Sequence, residues 1–197
     1  MNQITRQPLG LTSRRKKILF ALSVAVLLSL GGAGYATNDR LANYLQQNQP
    51  GSHSVIEVND GDTITVNING KAERVRLIGI DTPELHHPEK PVQCFAEAAR
   101  GFASNLINGN RVRLEADPED DNRDLYGRLL RYVYLPDGTL LNAEIIKQGY
   151  GFAYTHFPFV KLEEFRTYET QAREQALGLW TSCTIEQTET GPETNPL

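Results

Sequence analysis

From Val55 to Ile80 the chain alternates apolar and polar positions in three short runs. Val55-Ile56-Glu57-Val58, Ile64-Thr65-Val66-Asn67-Ile68 and Arg74-Val75-Arg76-Leu77-Ile78-Gly79-Ile80 each read as strands. Asn59-Asp60-Gly61 and Asn69-Gly70 separate them, and both are hairpin signals, so the pattern predicts an antiparallel meander. Gly79 interrupts the third run, as a bulge or a bend that curls a sheet would. Leu85 to Val92 carries two prolines and no period and reads as a loop. Phe95, Ala98, Ala99, Phe102 and Leu106 then recur at helical spacing, predicting a helix from Cys94 to Ile107 that stops at Gly109.

Val112-Arg113-Leu114-Glu115 and Leu129 to Leu135 supply two more strands, with the acidic stretch Asp117 to Asp124 between them as a loop. A short helix is expected from Asn142 to Gln148. A last one from Val160 to Ala176 turns Leu162, Phe165, Ala172 and Ala176 inward. Five short strands with a helix between the third and fourth follow the order of the OB-fold barrel. The expected class is α+β: a five-stranded OB-fold β-barrel with three helices, occupying residues 54–183.

The ends have a different character. Arg14-Arg15-Lys16-Lys17 precedes an uncharged run from Ile18 to Ala36, which closes on small residues. This is the layout of a signal peptide cleaved after Ala36, or of an N-terminal membrane anchor, since the run is long enough to cross a bilayer. In both cases the bulk of the chain lies outside the cytoplasm, secreted or periplasmic, and it meets the membrane only if the segment is retained. Residues 37–53, rich in Asn and Gln, read as a polar linker, and residues 184–197 as a disordered tail.

Composition then narrows the function. Residues 1–36 hold five basic residues and no acid, so the remainder sets 15 Lys and Arg against 24 Asp and Glu, a net of −9. That counts against a non-specific nucleic-acid coat, which would be basic. It does not exclude an enzyme that grips one phosphodiester locally. The only cysteines, Cys94 and Cys183, suggest one disulfide in an exported protein; two unrelated buried thiols are the plainer alternative.

The chemistry gathers in two turns and the strand between them. Three carboxylates, Asp62, Asp81 and Glu84, fall there with Arg76. Crowded carboxylates repel unless a cation sits among them, and Ca²⁺ or Mg²⁺ is the usual one for oxygen donors. Arginine offers a planar fork to phosphate oxygens. A metal, an arginine and a spare carboxylate point to phosphoryl-transfer chemistry. Taken singly, each residue has a plainer reading: solvated turn aspartates, a loop acid at Glu84, surface arginines on strands. His86, His87 and His156 lack zinc-ligand spacing and read as solvated loop histidines. Glu119-Asp120-Asp121 reads as a solvated face.

Four motifs in order, Asp60-Gly61-Asp62-Thr63, Arg76-Leu77-Ile78-Gly79-Ile80-Asp81-Thr82-Pro83-Glu84, Asp124-Leu125-Tyr126-Gly127-Arg128 and Gly178-Leu179-Trp180, resemble the staphylococcal nuclease (thermonuclease) family. The resemblance runs from Val55 to Trp180. It implies a monomeric OB-fold nuclease that uses Ca²⁺ to cut DNA and RNA, leaving 3′-phosphate ends. It also implies metal-binding carboxylates at Asp62 and Asp81, a backbone carbonyl ligand at Thr82, and a water-orienting or water-deprotonating carboxylate at Glu84. Arg76 and Arg128 match the family's phosphate-gripping arginines, and Tyr126 and Tyr154 its aromatic nucleotide contacts. Leu125 replaces a lysine and His156 a tyrosine of the type member. The cysteine pair is likewise absent from the type member.

Two other classes compete with the enzyme. OB-folds also bind single strands without cutting them, but a decayed domain should lack one of Asp62, Asp81, Glu84, Arg76 or Arg128, and all five are present. A membrane-anchored interaction protein would show no metal dependence.

Overall fold

A computed structural model describes residues 49–86, 91–189 and 191–197. The segment 1–36, expected to be a signal peptide or anchor, and residues 37–48 of the expected linker lie outside the described residues. Five strands close into a barrel: β1 (Ser52–Asp60), β2 (Thr63–Ile68), β3 (Lys71–Leu77), β5 (Arg111–Glu115) and β6 (Leu129–Tyr134). Around the ring the order is β1-β2-β3-β6-β5, and β5 returns antiparallel to β1, Ser52 facing Arg113. Every pair is antiparallel except β3 with β6. The OB-fold α+β class read from the sequence is the one observed.

Local chemistry explains the closure. Asn69 and Gly70 both take positive φ, 53° and 85°, so the Asn-Gly turn has the hand that suits the twist of β2 and β3. Two register shifts in β1, at Val55/Glu57 and Val58/Asp60, bend that strand around the barrel. They also break its alternation, leaving Ile56 exposed. Ile64, Val66, Val75, Leu77, Val112, Leu114, Leu129 and Val133 fill the interior. Burying a side chain of this kind is worth about 1.5–3 kcal/mol before chain entropy is counted. Buried Asn142 ties the parallel seam. Its amide nitrogen donates to the Ile78 carbonyl at 2.9 Å, and its oxygen accepts the Val133 N–H at 2.9 Å.

Outside the barrel lie α1 (Ala96–Ile107), α2 (Leu141–Lys147) and α3 (Leu162–Glu174), with a single turn α4 (Leu179–Ser182). A two-stranded ribbon pairs β4 (Ile80–Asp81) with β7 (Phe152–Ala153). The inward face of α1 overlaps the expected one but is shifted: Ala99 is buried as expected together with Ala96, Ala103 and Ile107, while Phe102 and Leu106 pack half-buried against the core. Small side chains let this helix approach closely, so a Cβ on Gly61 would stand 2.9 Å from that of Ala99. The rings of Phe95 and Phe102 both pack on Tyr150.

Both ends of the domain extend further than the sequence suggests. Gln49 and His53 are buried, and β1 begins at Ser52. Gln49 accepts a bond from Arg131, a fully buried arginine on β6. The tail expected to be disordered, 184–197, is corrected: β8 (Ile185–Thr188) and β9 (Gly191–Thr194) form a hairpin. A Cys94–Cys183 disulfide anchors its start. The residues beyond the hairpin pair with the stretch before α1: the Cys94 N–H donates to Asn195 at 2.8 Å, and the Leu197 N–H to Val92 at 2.9 Å. A polar segment needs little apolar surface to order when it is tied and hydrogen-bonded at both ends.

Candidate active site

Topology brings the motifs to one end of the barrel. Asp62 sits in the turn before β2, and Arg76 near the end of β3 faces Thr63 in the antiparallel register. Because β6 runs parallel to β3, Arg76 also stands level with Leu130, two residues beyond Arg128. Gly79 then turns the chain into β4, which carries Asp81. That glycine has φ 72°, and a Cβ there would lie 2.6 Å from the Phe159 ring, so no larger residue makes this turn.

Arg76 bridges the two aspartates. One terminal nitrogen is ion-paired with Asp62, and the other donates to Asp81 at 2.7 Å. Burial alone would lower the guanidinium pKa; the Asp62 and Asp81 charges outweigh it and raise the pKa above the ordinary arginine value. Asp62 is held independently by the Thr82 amide at 3.0 Å, the Thr82 hydroxyl at 3.1 Å and the Thr63 hydroxyl at 2.9 Å. Burial pushes Asp81 up to about 6; the Arg76 charge opposes this, and the Asp62 and Glu84 charges add to it. Asp60 is likewise pushed up to about 6, by burial and then by Asp62, against N–H bonds from Gly61 and Leu85. The end of the barrel thus carries more negative charge than Arg76 neutralises.

Arg128 joins the same network. Its Nε donates to Asp124 at 2.6 Å, its amide to the other Asp124 oxygen at 2.9 Å, and Nη1 reaches Thr63 Oγ1 at 3.5 Å. A continuous chain therefore runs Asp124–Arg128–Thr63–Asp62–Arg76–Asp81. Exposed Tyr126 lies beside it, its ring 5.4 Å from the Arg128 guanidinium. Tyr154 is placed by its N–H bond to Gly79, at 2.9 Å, and has His156 and Phe157 as ring neighbours. Glu84 is held through its backbone, with its N–H on Gln93 Oε1 at 2.7 Å and its carbonyl accepting the Gln93 N–H at 3.0 Å.

Asp60, Thr63, Asp124 and Gln93 are parts of this arrangement that the sequence reading gave no role. A signal existed for Asp124: an aspartate opening a turn commonly accepts the amide two residues on, and it accepts the Tyr126 N–H at 3.0 Å. Nothing local marked Gln93.

The donor set suits a hard cation. Asp62 and Asp81 lie within reach of one guanidinium, with Thr82 next in the chain, and all the donors are oxygens. Among the described residues no three His, Cys, Asp or Glu side chains converge on one point.

The barrel order and this site define an OB-fold α+β domain built around a paired-aspartate, two-arginine centre. The chain belongs to the staphylococcal nuclease family: residues 74–182 match the family described as Staphylococcal nuclease homologue. It is 41% identical over 133 residues to the thermonuclease of Staphylococcus intermedius, covering 66% of this chain and 76% of that protein. It is also 41% identical over 123 residues to endonuclease YncB of Bacillus subtilis (strain 168), covering 61% of this chain and 57% of YncB.

Proposed function

We propose that this protein is an exported, Ca²⁺-dependent, sugar-non-specific nuclease that hydrolyses DNA and RNA phosphodiesters to 3′-phosphate products. One observation carries the reading: two arginines and two aspartates meet around Thr63 in a single bonded network. The names of the relatives, thermonuclease and endonuclease, support it. A divalent ion held by Asp62, Asp81 and the Thr82 carbonyl would act as a Lewis acid on a phosphate oxygen.

The chain's own residues supply the rest. Arg76 and Arg128 donate to the equatorial phosphate oxygens as charge grows there, a role worth about 10³ to 10⁵ in rate for arginine fingers elsewhere. Glu84 orients the attacking water or accepts its proton, worth about 10² to 10⁴. The water oxygen bonds to phosphorus while the bond to the 5′ oxygen breaks; that oxygen takes a proton from solvent and leaves as the 5′-hydroxyl, and the phosphate stays on the 3′ side. Tyr126 and Tyr154 offer aromatic faces to the nucleotide, and Leu125 and His156 adjust its grip. The disulfide fits an oxidising compartment. Among the described residues, no helix is long and apolar enough to cross a membrane.

The test is incubation with plasmid, single-stranded DNA and RNA, with Ca²⁺, Mg²⁺ or chelator, beside an Arg76→Ala/Glu84→Ala control. Degradation of all three with Ca²⁺, absent in chelator and in the control, is the expected result. A folded chain that cuts none of them with any metal sinks the enzyme. Retained binding to single strands would then identify an OB-fold binding module.

A further inference from the structure

The C-terminal hairpin and the Glu84 loop meet at one side chain. Gln93 is buried, with only 6% of its surface exposed. Its Oε1 accepts the Glu84 N–H at 2.7 Å and its own N–H donates to the Glu84 carbonyl, so it grips Glu84 on both sides of the residue. Its Nε2 donates at 3.1 Å to Glu193 on β9, one hundred positions away. Around it the same two segments are stitched together: Gln93 forms a bridge with Pro196, and the Thr194 hydroxyl donates to the Cys94 carbonyl at 2.8 Å. The disulfide ties Cys94, the next residue, to the base of the hairpin.

We propose that Gln93 is a positioning residue for Glu84 and that the β8–β9 hairpin, through Glu193, fixes the orientation of its amide. The physical reason lies in the amide itself. A glutamine side chain presents one acceptor and one donor end and can turn over, and only one orientation puts oxygen on the Glu84 N–H. Glu193, being an acceptor, selects that orientation by demanding the nitrogen. The C-terminal segment thereby becomes part of the catalytic apparatus, because the backbone that aims the Glu84 carboxylate is set by a residue the tail holds. Misplacing a catalytic group by about 1 Å is enough to cost about 10²-fold in rate. This inference rests on the nuclease reading, in which Glu84 serves the attacking water.

The experiment measures kcat and KM on a DNA substrate with Ca²⁺ for the full chain and for Glu84→Gln, Gln93→Ala, Gln93→Glu and the double variant Gln93→Glu/Glu193→Gln, with thermal melts of each. Gln93→Ala should lower kcat about 10- to 100-fold at nearly unchanged KM, since no substrate contact is touched. Gln93→Glu sets a carboxylate against Glu193 and should do the same. The double variant keeps the carboxylate acceptor for the Glu84 N–H, replaces the opposing charge on β9 with an amide donor, and should recover most of that loss. If Gln93→Ala does not fold, the Gln93→Glu and double variants decide the matter. Wild-type kcat in folded Gln93 variants, or a double variant no better than Gln93→Glu, overturns the proposal. An inactive wild type would instead overturn the nuclease reading beneath it, and a fully active Glu84→Gln the role of Glu84 within that reading.

Discussion

Asp124 grips Arg128 twice, its Oδ1 accepting the arginine amide at 2.9 Å and its Oδ2 accepting Nε at 2.6 Å. The turn between them is thereby fixed to the side chain it presents, and Nη1 is directed towards Thr63. Asp124→Ala should cost about 10- to 100-fold in kcat/KM, a part of what losing the arginine would cost. Asp124→Asn keeps the backbone acceptor and should cost less. Steady-state kinetics on an oligonucleotide check both, and an Asp124→Ala enzyme with full activity would contradict the assignment.

Arg76 bears on stability as well as chemistry. It is largely buried between Asp62 and Asp81, so Arg76→Ala leaves two carboxylates without their cation. Breaking a buried pair from one side costs about 3–5 kcal/mol. The exposed Arg100–Glu97 pair on α1 is the comparison, and Arg100→Ala should cost no more than about 1 kcal/mol. Denaturant melts in chelator check the difference; equal losses for the two variants would contradict it.

The barrel was legible because its signals are local. Alternating Ile64, Val66 and Ile68, and turns at Asn59-Asp60-Gly61 and Asn69-Gly70, need no distant partner to be read. The site's residue types were legible for the same reason, since Asp62, Arg76, Asp81 and Glu84 fall within one short stretch. What escaped depends on long-range pairing. The ordering of the tail rests on Cys94 and Asn195, 101 positions apart, and the role of Gln93 on Glu193. Part of the buried face of α1 escaped because its large residues suggested a stripe centred on Phe102, whereas close approach to the barrel buries Ala96, Ala103 and Ile107 beside the expected Ala99. Nothing local marks Arg131 as buried, because the groups that satisfy it in the interior, Gln49 and Asn122, lie elsewhere in the chain.

Crowding at Asp60 and Asp81 makes stability depend on pH. Both are pushed up to about 6 from an ordinary value near 3.8, so the folded chain binds more protons than the unfolded one between those limits. Stability from these two groups is therefore present at low pH and is lost as pH rises through about 6. Asp60→Asn removes one share of this. In chelator, its stability relative to wild type should improve from pH 4 to pH 7, and a difference that stays flat across that range would contradict the sign. Ca²⁺ should stabilise the wild type more at pH 7 than at pH 5, because bound metal competes with protons.

The Cys94–Cys183 bond closes a loop of 89 positions that contains two of the five barrel strands, β5 and β6, and all the helices packed outside the barrel. Reducing it, or the Cys94→Ala/Cys183→Ala variant, should cost about 2–5 kcal/mol. Melts with and without reductant measure this. Loss of the hairpin's grip should also make the tail the first site of proteolytic cleavage, whereas unchanged melts and digestion patterns would contradict the role.

The most direct test of the site is the Ca²⁺ dependence of cleavage in the wild type and in Asp62→Asn and Asp81→Asn. The expected result is saturable activation of the wild type by Ca²⁺, with activity abolished in both variants or half-saturation moved to much higher Ca²⁺. Wild-type half-saturation and rate in both variants, with the chains folded, would show that the Asp62–Asp81 pair does not hold the metal.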